Sequence, residues 1–386
     1  MGKHQIMSVP KEARRTSDWD MFATWVGANA NNGTWFIGWT AVNTFIAATS
    51  VSYLLHDLLS WPVYGKPGGA KGLVCGILVM SILHIISIAS GQRSVQLIER
   101  IGIVLVFVFM IWESVVVFKT VPFSHIVSWQ VPHKDLLATG AAVDAVAAFN
   151  LAWVTAGADF TRFTSKKRAA TLIPFAGALF GVVWFAFIGL VSTISIAITS
   201  GVYDANNSDP STIASRLGLG VVALLVIIIT SMTANAVNLM AAGSAISNIF
   251  SGLKLKHSLW ISAIFATFVT FIPMVIGSFL DAFTAFLDYV GMVLGPIISV
   301  IIIDFYFRRH RRYDVSALSE TNGKYWYRNG VNYAAFISWS VGVALFFALR
   351  QVDFLMETIG ATFLTMILSG MLYYGLMVFK DKKGKC

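Results

Sequence analysis

Nine apolar runs, each near or above the length of a bilayer crossing, govern what this chain can fold into. They lie at roughly 71–90, 96–118, 137–158, 171–199, 216–250, 257–279, 282–307, 331–349 and 355–379. A bilayer's hydrocarbon core is about 30 Å thick, so a helix rising about 1.5 Å per residue crosses it in about 20 residues. Backbone polar groups in lipid must bond within the segment, and that dictates helices. A soluble core cannot absorb such runs: 56% of the residues are hydrophobic, 12% are charged, and the mean hydropathy is +0.72. The expected fold class is an all-α polytopic membrane protein. The longest run, 216–250, implies tilt, overhang or a break. No connection exceeds about twenty-five residues, so there is no room for a soluble domain.

Charge sets the orientation. If residues 1–20 are cytoplasmic, the stretches falling on that side hold 22 of the 28 Lys and Arg. The other six are Lys66, Lys71, Lys119, Lys134, Arg216 and Arg350. This asymmetry places both termini in the cytoplasm and accounts for the net charge of +9 without nucleic acid. The expected organisation is a polar tail (1–20), a single transmembrane domain (21–379) of about ten spans, and a tail (380–386). The polar N-terminus shows no secretory signal. Cys75 and Cys386 form neither a disulfide framework nor a metal motif.

A tenth apolar segment, Met21 to Leu55, resists simple assignment. As a helix it would be about 52 Å long, too long for one crossing, while two crossings need roughly forty residues plus a turn. Its polar core, "WVGANANNGTW" (Trp25 to Trp35), is one of three Gly- and Asn-rich interruptions. The others are "AAFNLAWVTAGADFTRF" (Ala147 to Phe163) and "TSMTANAVNLMAAG" (Thr230 to Gly243). Broken helices expose carbonyls to a cation and amides to a polar substrate. Small and amide residues also pack helices together, so each segment alone reads either way. Three together favour a site.

Asn235 and Asn238, three residues apart, share a helix face and offer both donors and acceptors, as a nitrogen heterocycle requires. Trp39 is a flat apolar face for stacking, and Asn43 lies one turn on; a core-filling Trp is the plainer alternative. Thr230, Ser231 and Thr233 provide oxygens for a hard cation, or bond back to their own helix. Glu113, Asp144, Asp281, Asp288, Asp304, Glu357 and His84 are ionisable residues in or near spans. Asp304, beside "RRHRR", is read as an ion-pair partner, Glu113 and Glu357 as snorkelling groups, and His84 as a satisfied interior histidine. Asp159 is read as an anchor or gate. No P-loop, HExxH, GxSxG or CxxC is present, and the chain is read as a non-enzyme.

The strings "AGADFTRF", "TANAVNLMAAGSAISNI" and "GPIISVIIIDFYFRRHRRYDV" resemble the cytosine/purine/allantoin permeases, the nucleobase–cation symporters, and most of all cytosine permeases. The resemblance covers most of the chain from Trp39 onward. It implies a leucine-transporter-like fold of two inverted five-span repeats followed by two extra spans. The implied function is import of a nucleobase or related heterocycle, cytosine first and purine next, by Na+ or H+ symport across a plasma membrane, expected to be bacterial. No cofactor and a monomer are expected. Substrate contacts implied are Trp39, Asn43, Phe149, Asn150, Asn235 and Asn238. The implied cation site uses Thr230, Thr233 and first-span carbonyls around Val26 to Ala30. Ala234 departs from the family's hydroxyl there, and Asn150 from its second aromatic residue, with Phe149 adjacent.

The same resemblance explains the tenth segment. Trp25 to Gly38 looks like half of the family's first span, and Trp39 to Leu55 like its third. An internal loss of about sixty to seventy residues near Gly38 and Trp39 is expected, roughly two spans with their connections. It leaves the first repeat incomplete. A transport-incompetent remnant, or a membrane protein that only binds, is therefore the alternative reading.

Overall fold

The computed structural model describes residues 36–383, except 90–91, 133–135, 156, 158–160, 162–163, 251, 315–316, 318–319, 321 and 329. The described chain is helical, with one isolated bridge between Arg328 and Val331. In chain order the α-helices are α1 (Phe36–Leu59), α2 (Ala70–Ala89), α3 (Gln92–Thr120), α4 (Phe123–Ser128) and α5 (Thr139–Leu151). Then come α6 (Leu172–Ser200), α7 (Pro210–Arg216), α8 (Gly220–Ile249), α9 (Leu255–Thr270) and α10 (Ile272–Ile276). The last four are α11 (Phe279–Ile303), α12 (Tyr333–Leu349), α13 (Asp353–Glu357) and α14 (Thr362–Lys383).

Among the described residues, seven helical stretches are long and apolar enough to cross a membrane, and 139–154 and 333–349 are shorter apolar helices. The chain is a multi-pass membrane protein. All nine expected runs are helical, with local corrections. The run 216–250 contains a break: α7 ends at Arg216, Gly218 and Gly220 turn at φ +67° and +72°, and α8 follows. The run 257–279 is interrupted at Phe271, two residues before Pro273. The run 355–379 starts later, at Thr362, with α13 as a separate turn. The expected interruption at 230–243 is absent, because α8 runs unbroken through it. The one at 147–163 is present: α5 stops at Leu151 and a 3-10 turn, Ala152–Thr155, follows.

The chain divides into two compact units, residues 1–135 with 155–283, and 136–154 with 284–386. In the first, α1 lies against α2, α7, α8 and α9, while α3 packs on α8 and α6. Lipid tails are as apolar as leucine, so helices in a membrane gain little from hiding apolar surface and depend on close approach. Small residues provide it. A Cβ on Gly76 of α2 would collide with the Ala48 carbonyl of α1, and one on Gly72 would sit 2.7 Å from Ser52 Oγ. Above this contact, α7 is fastened to α1. Ser211 Oγ donates to the Ile46 carbonyl (2.6 Å), Ser50 pairs with Ser211 (2.8 Å), and Tyr53 with Thr212 (3.2 Å). Asp209 caps α7 through the Ser211 and Thr212 amides.

In the second unit, α12 packs on α14, and α5 packs on α13 and α14. The buried Asp144 carboxylate of α5 accepts from the Ala361 and Thr362 amides at the start of α14. Asp304 opens a π-turn, Asp304–Arg308, and accepts from the hydroxyls of Tyr313 and Tyr373, each at 2.8 Å. Arg308 and Arg309 also lie 3.5 Å from its carboxylate, which bears out its reading as an ion-pair partner. Asp288 pairs with Arg350 at 2.5 Å.

Candidate functional site

The densest buried polar cluster described in the first unit joins α1, α2 and α8 around Asn235. That side chain is 0% exposed. Its Nδ2 donates toward the Thr40 carbonyl (3.2 Å) and Thr44 Oγ1 (3.1 Å), and lies 3.1 Å from His84 Nε2. Its Oδ1 accepts from Asn43 Nδ2 (3.2 Å) and, at 3.5 Å, from Asn238 Nδ2. A carbonyl can only accept, so Thr40 fixes which way the Asn235 amide faces.

These partners come from helical spacing. Thr40, Asn43 and Thr44 project together from α1, and Asn235 and Asn238 lie one turn apart on α8. Thr44 Oγ1 donates to the Thr40 carbonyl at 2.6 Å and so receives, rather than competes with, the Asn235 amide.

Trp39 is 2% exposed and meets Phe283 edge-to-face, with centroids 5.7 Å apart and 73° between the planes. Phe283 stacks on Phe279 (5.9 Å), Phe279 on Phe45 (5.0 Å), and Phe45 meets Tyr64 edge-on. Trp39 thus belongs to an aromatic row beside the amide cluster, since Asn43 is one turn further along α1.

The expected substrate residues are therefore distributed as follows. Trp39, Asn43, Asn235 and Asn238 are brought together. Asn235 is bonded by protein on both its oxygen and its nitrogen, which makes it the organiser of the cluster. Asn43 and Asn238 each use one N–H on Asn235, and their Oδ1 atoms have no hydrogen-bond partner among the described residues. Phe149 and Asn150 lie on α5 in the second unit. Asn150 Nδ2 bonds back to the Val146 carbonyl at 2.9 Å, and the residue lines a cavity of about 600 Å³ with Thr139, Val146, Val154 and Phe363.

Of the expected cation ligands, Thr233 Oγ1 donates to the Thr230 carbonyl at 2.7 Å, and Thr230 Oγ1 to the Ile227 carbonyl at 3.1 Å. Gly102 of α3 presses on this turn, for a Cβ there would be 2.5 Å from Thr233 Oγ1. Val26 and Ala30, and the anchor reading of Asp159, lie outside the described residues.

Glu113 does not snorkel: it is buried and accepts from Ser192 at 2.7 Å. His84 is the satisfied interior histidine expected, yet its partner is the central amide of the cluster. Sequence reasoning did not assign Thr40, Thr44, His84 or Phe283 to the site. The polar rhythm of "WTAVNT" carried a signal for the threonines. Nothing in sequence tied His84 or Phe283 to it.

The family described as permease for cytosine/purines, uracil, thiamine, allantoin matches residues 36–373. A Bacillus subtilis protein provisionally named a purine-cytosine permease is 25% identical over 78% of this chain and 64% of its own length. The allantoin permease of the same organism is 24% identical over 88% of this chain and 71% of its own. The chain thus spans about two thirds of the length of these curated relatives. Mhp1, a nucleobase-cation-symport-1 family transporter solved in a closed conformation with bromovinylhydantoin bound, aligns with a TM-score of 0.65 at 15% identity, over 94% of this chain and 79% of that one. Its inward-facing conformation gives 0.68 over 93% and 78%. At that identity the likeness carries the fold, and the leucine-transporter-like expectation is borne out.

Proposed function

Because the chain belongs to the family of permeases for cytosine/purines, uracil, thiamine and allantoin, a family of transporters and not of enzymes, we propose that it binds a nucleobase or related nitrogen heterocycle and imports it by cation symport. One observation carries this reading: the amides of Asn43 and Asn238 converge on a single organising residue, Asn235, with carbonyl oxygens that have no partner among the described residues, and Trp39 lies one turn before Asn43 on the same helix. A planar heterocycle has a face for the indole and ring N–H groups for the two oxygens. Cytosine is the favoured substrate and a purine the next, on the family resemblance. The same resemblance keeps Phe149 and Asn150 as proposed substrate residues, and Thr230 and Thr233, with Val26 and Ala30, as the proposed cation set for Na+ or H+. The positive-inside asymmetry supports both termini on the cytoplasmic side, and a monomer in a bacterial plasma membrane is proposed on the family resemblance alone.

A second reading has its own support. The chain spans 64% and 71% of the two relatives, and the proposed loss near Gly38 and Trp39 removes part of the first repeat. Such a chain binds the heterocycle without moving it. Uptake of radiolabelled cytosine into cells expressing this chain, with and without a sodium gradient, separates the two readings. Uptake above that of empty cells supports transport. Binding by the purified chain without uptake supports the binding-only reading. Absence of both for cytosine, adenine, uracil and allantoin overturns the site.

A further inference from the structure

The string "RRHRR", Arg308 to Arg312, closes the span that α11 begins, and the fold divides its arginines into two pairs. Arg308 and Arg309 are spent within the protein. Arg308 bonds Asp381 at 2.8 Å and lies 3.5 Å from Asp304; Arg309 also lies 3.5 Å from Asp304 and donates to the Tyr327 hydroxyl at 3.1 Å. Arg311 and Arg312 are exposed, and neither has a carboxylate partner among the described residues. The backbone between the pairs turns them apart. His310 and Arg311 stand at φ +50° and +64°, a left-handed region uncommon outside glycine. The Arg311 amide bonds back to the Phe305 carbonyl at 2.8 Å and the Arg312 amide to the Arg309 carbonyl at 3.0 Å. The Arg311 guanidinium is thereby held over the Tyr306 ring, 5.4 Å from its centroid.

Tyr306 and its neighbour Phe307 are 50% and 61% exposed, and Tyr306 follows the exposed Ile302 by one helical turn. The last turn of this span therefore presents apolar side chains outward at the point where two cations are presented beside them. Lys380 over Tyr327 and Lys324 over Tyr325 widen the basic surface, and Arg309 lies over the same Tyr325 ring. Asp314 and Glu320 in the following loop offset only part of this charge. A basic group after a helix C-terminus complements the dipole, and basic residues set membrane orientation, but neither role calls for a folded-back turn that fixes a guanidinium on an outward-facing ring.

A ligand that fits has an anion at one end and hydrocarbon at the other. We propose that Arg311 and Arg312 form a headgroup site for an anionic phospholipid in the leaflet at this end of the span, the cytoplasmic leaflet in the orientation proposed above. The guanidinium N–H groups donate to the phosphate oxygens, a pairing that the planar fork of arginine suits. Stacking on Tyr306 holds Arg311 in place for it. The acyl chain runs along Ile302, Tyr306 and Phe307. A free anion would use the two arginines but not the apolar side chains, so the lipid is the occupant that uses the whole surface. Basic clusters at this position next to a span attract anionic headgroups in general; here the fold reserves two of the four arginines for that purpose.

The test titrates the full chain in detergent micelles with phosphatidylglycerol or phosphatidylcholine of identical acyl chains and counts bound lipid by native mass spectrometry. No nucleobase is present, so the outcome is independent of the transport reading. The expected result is one phosphatidylglycerol held about thirtyfold more tightly than phosphatidylcholine, the scale of two basic groups at an anionic surface. That preference should shrink as salt rises from about 0.1 M to about 1 M. Arg311→Gln with Arg312→Gln should lose it. Lys254→Gln with Lys256→Gln removes the same charge from exposed positions at the start of α9 and should keep it. Arg312→Gln alone leaves Arg311 on Tyr306 and should lose part of the preference; it decides the matter if the double variant does not fold. Wild-type preference in the arginine variants overturns the proposal, as does an equal loss in the lysine variant. So do equal affinities of the wild-type chain for the two lipids, or displacement of phosphatidylglycerol by millimolar inorganic phosphate, which would mark a site for free anions.

Discussion

The Asp144 carboxylate caps the helix that begins at Thr362, 218 residues later in the chain. Its two oxygens receive the Ala361 and Thr362 amides, both at 2.8 Å. The approach depends on Gly360, held at φ +74°, where a Cβ would strike the carboxylate. A helix start leaves orphan N–H groups and carries partial positive charge, so a carboxylate there serves both needs.

Asp144→Ala should therefore destabilise the chain by about 3 kcal/mol, the scale for two buried donors losing a charged acceptor. Thermal unfolding in detergent, with amide exchange at residues 361–364, reads this. A loss below about 1 kcal/mol would show that these amides find another acceptor.

Close approach of α1 and α2 rests on Gly76, while Gly189 on α6 has nothing within 4 Å of a built Cβ. Gly76→Val should reduce folded yield sharply, by overpacking worth about 1–3 kcal/mol or more. Gly189→Val should not. Equal yields of the two variants, measured as monodisperse protein after purification, would mean the interface yields easily.

Burial and the hydrogen bond to Asp304 both raise the Tyr313 phenol above its ordinary value of 10.0. A raised phenol favours the folded state while protonated. Its contribution is complete below about pH 10 and fades as the pH climbs toward the folded-state value. Stability should fall on going above pH 10, and Tyr313→Phe should show a smaller alkaline loss. An identical alkaline profile for the two proteins would place the sensitivity elsewhere, with Tyr373, the other hydroxyl on Asp304, the next to substitute.

For the proposed heterocycle site, Trp39→Ala should abolish cytosine binding, and Asn238→Ala should weaken it by about tenfold, the loss of one buried hydrogen-bond partner. Asn235→Ala should lower thermal stability as well as affinity, because it strands Asn43, Thr44 and His84 together. Isothermal titration beside thermal unfolding separates the two effects. Unchanged affinity in Trp39→Ala would remove the stacking site.

Much of this protein was legible as sequence because the bilayer allows so few solutions. Length and hydropathy alone locate 71–90 or 171–199 as helices, since lipid offers the backbone no other partner. Breaks were harder. The Gly and Asn content of 230–243 suggested an unwound segment, but Asn235 turns its amide onto α1 and α2, Asn238 bonds to Asn235, and the α8 backbone stays intact. Asp304 was readable because its partners Arg308 and Arg309 follow within five residues.

Sequence by itself determined the class of molecule, the number and places of its apolar helices and, through three motifs, its family. Helical periodicity is local, so it also grouped Trp39 with Asn43 and Asn235 with Asn238. The tertiary structure decided what those groups do to each other. Which of two asparagines organises the cluster, and that a histidine 151 positions away completes it, depends on how α1, α2 and α8 are rotated about their axes. That rotation is set by the close approach of α1 and α2 at Gly72 and Gly76 and by the fastening of α7 to α1. These contacts join residues far apart in the chain, and no local pattern encodes them.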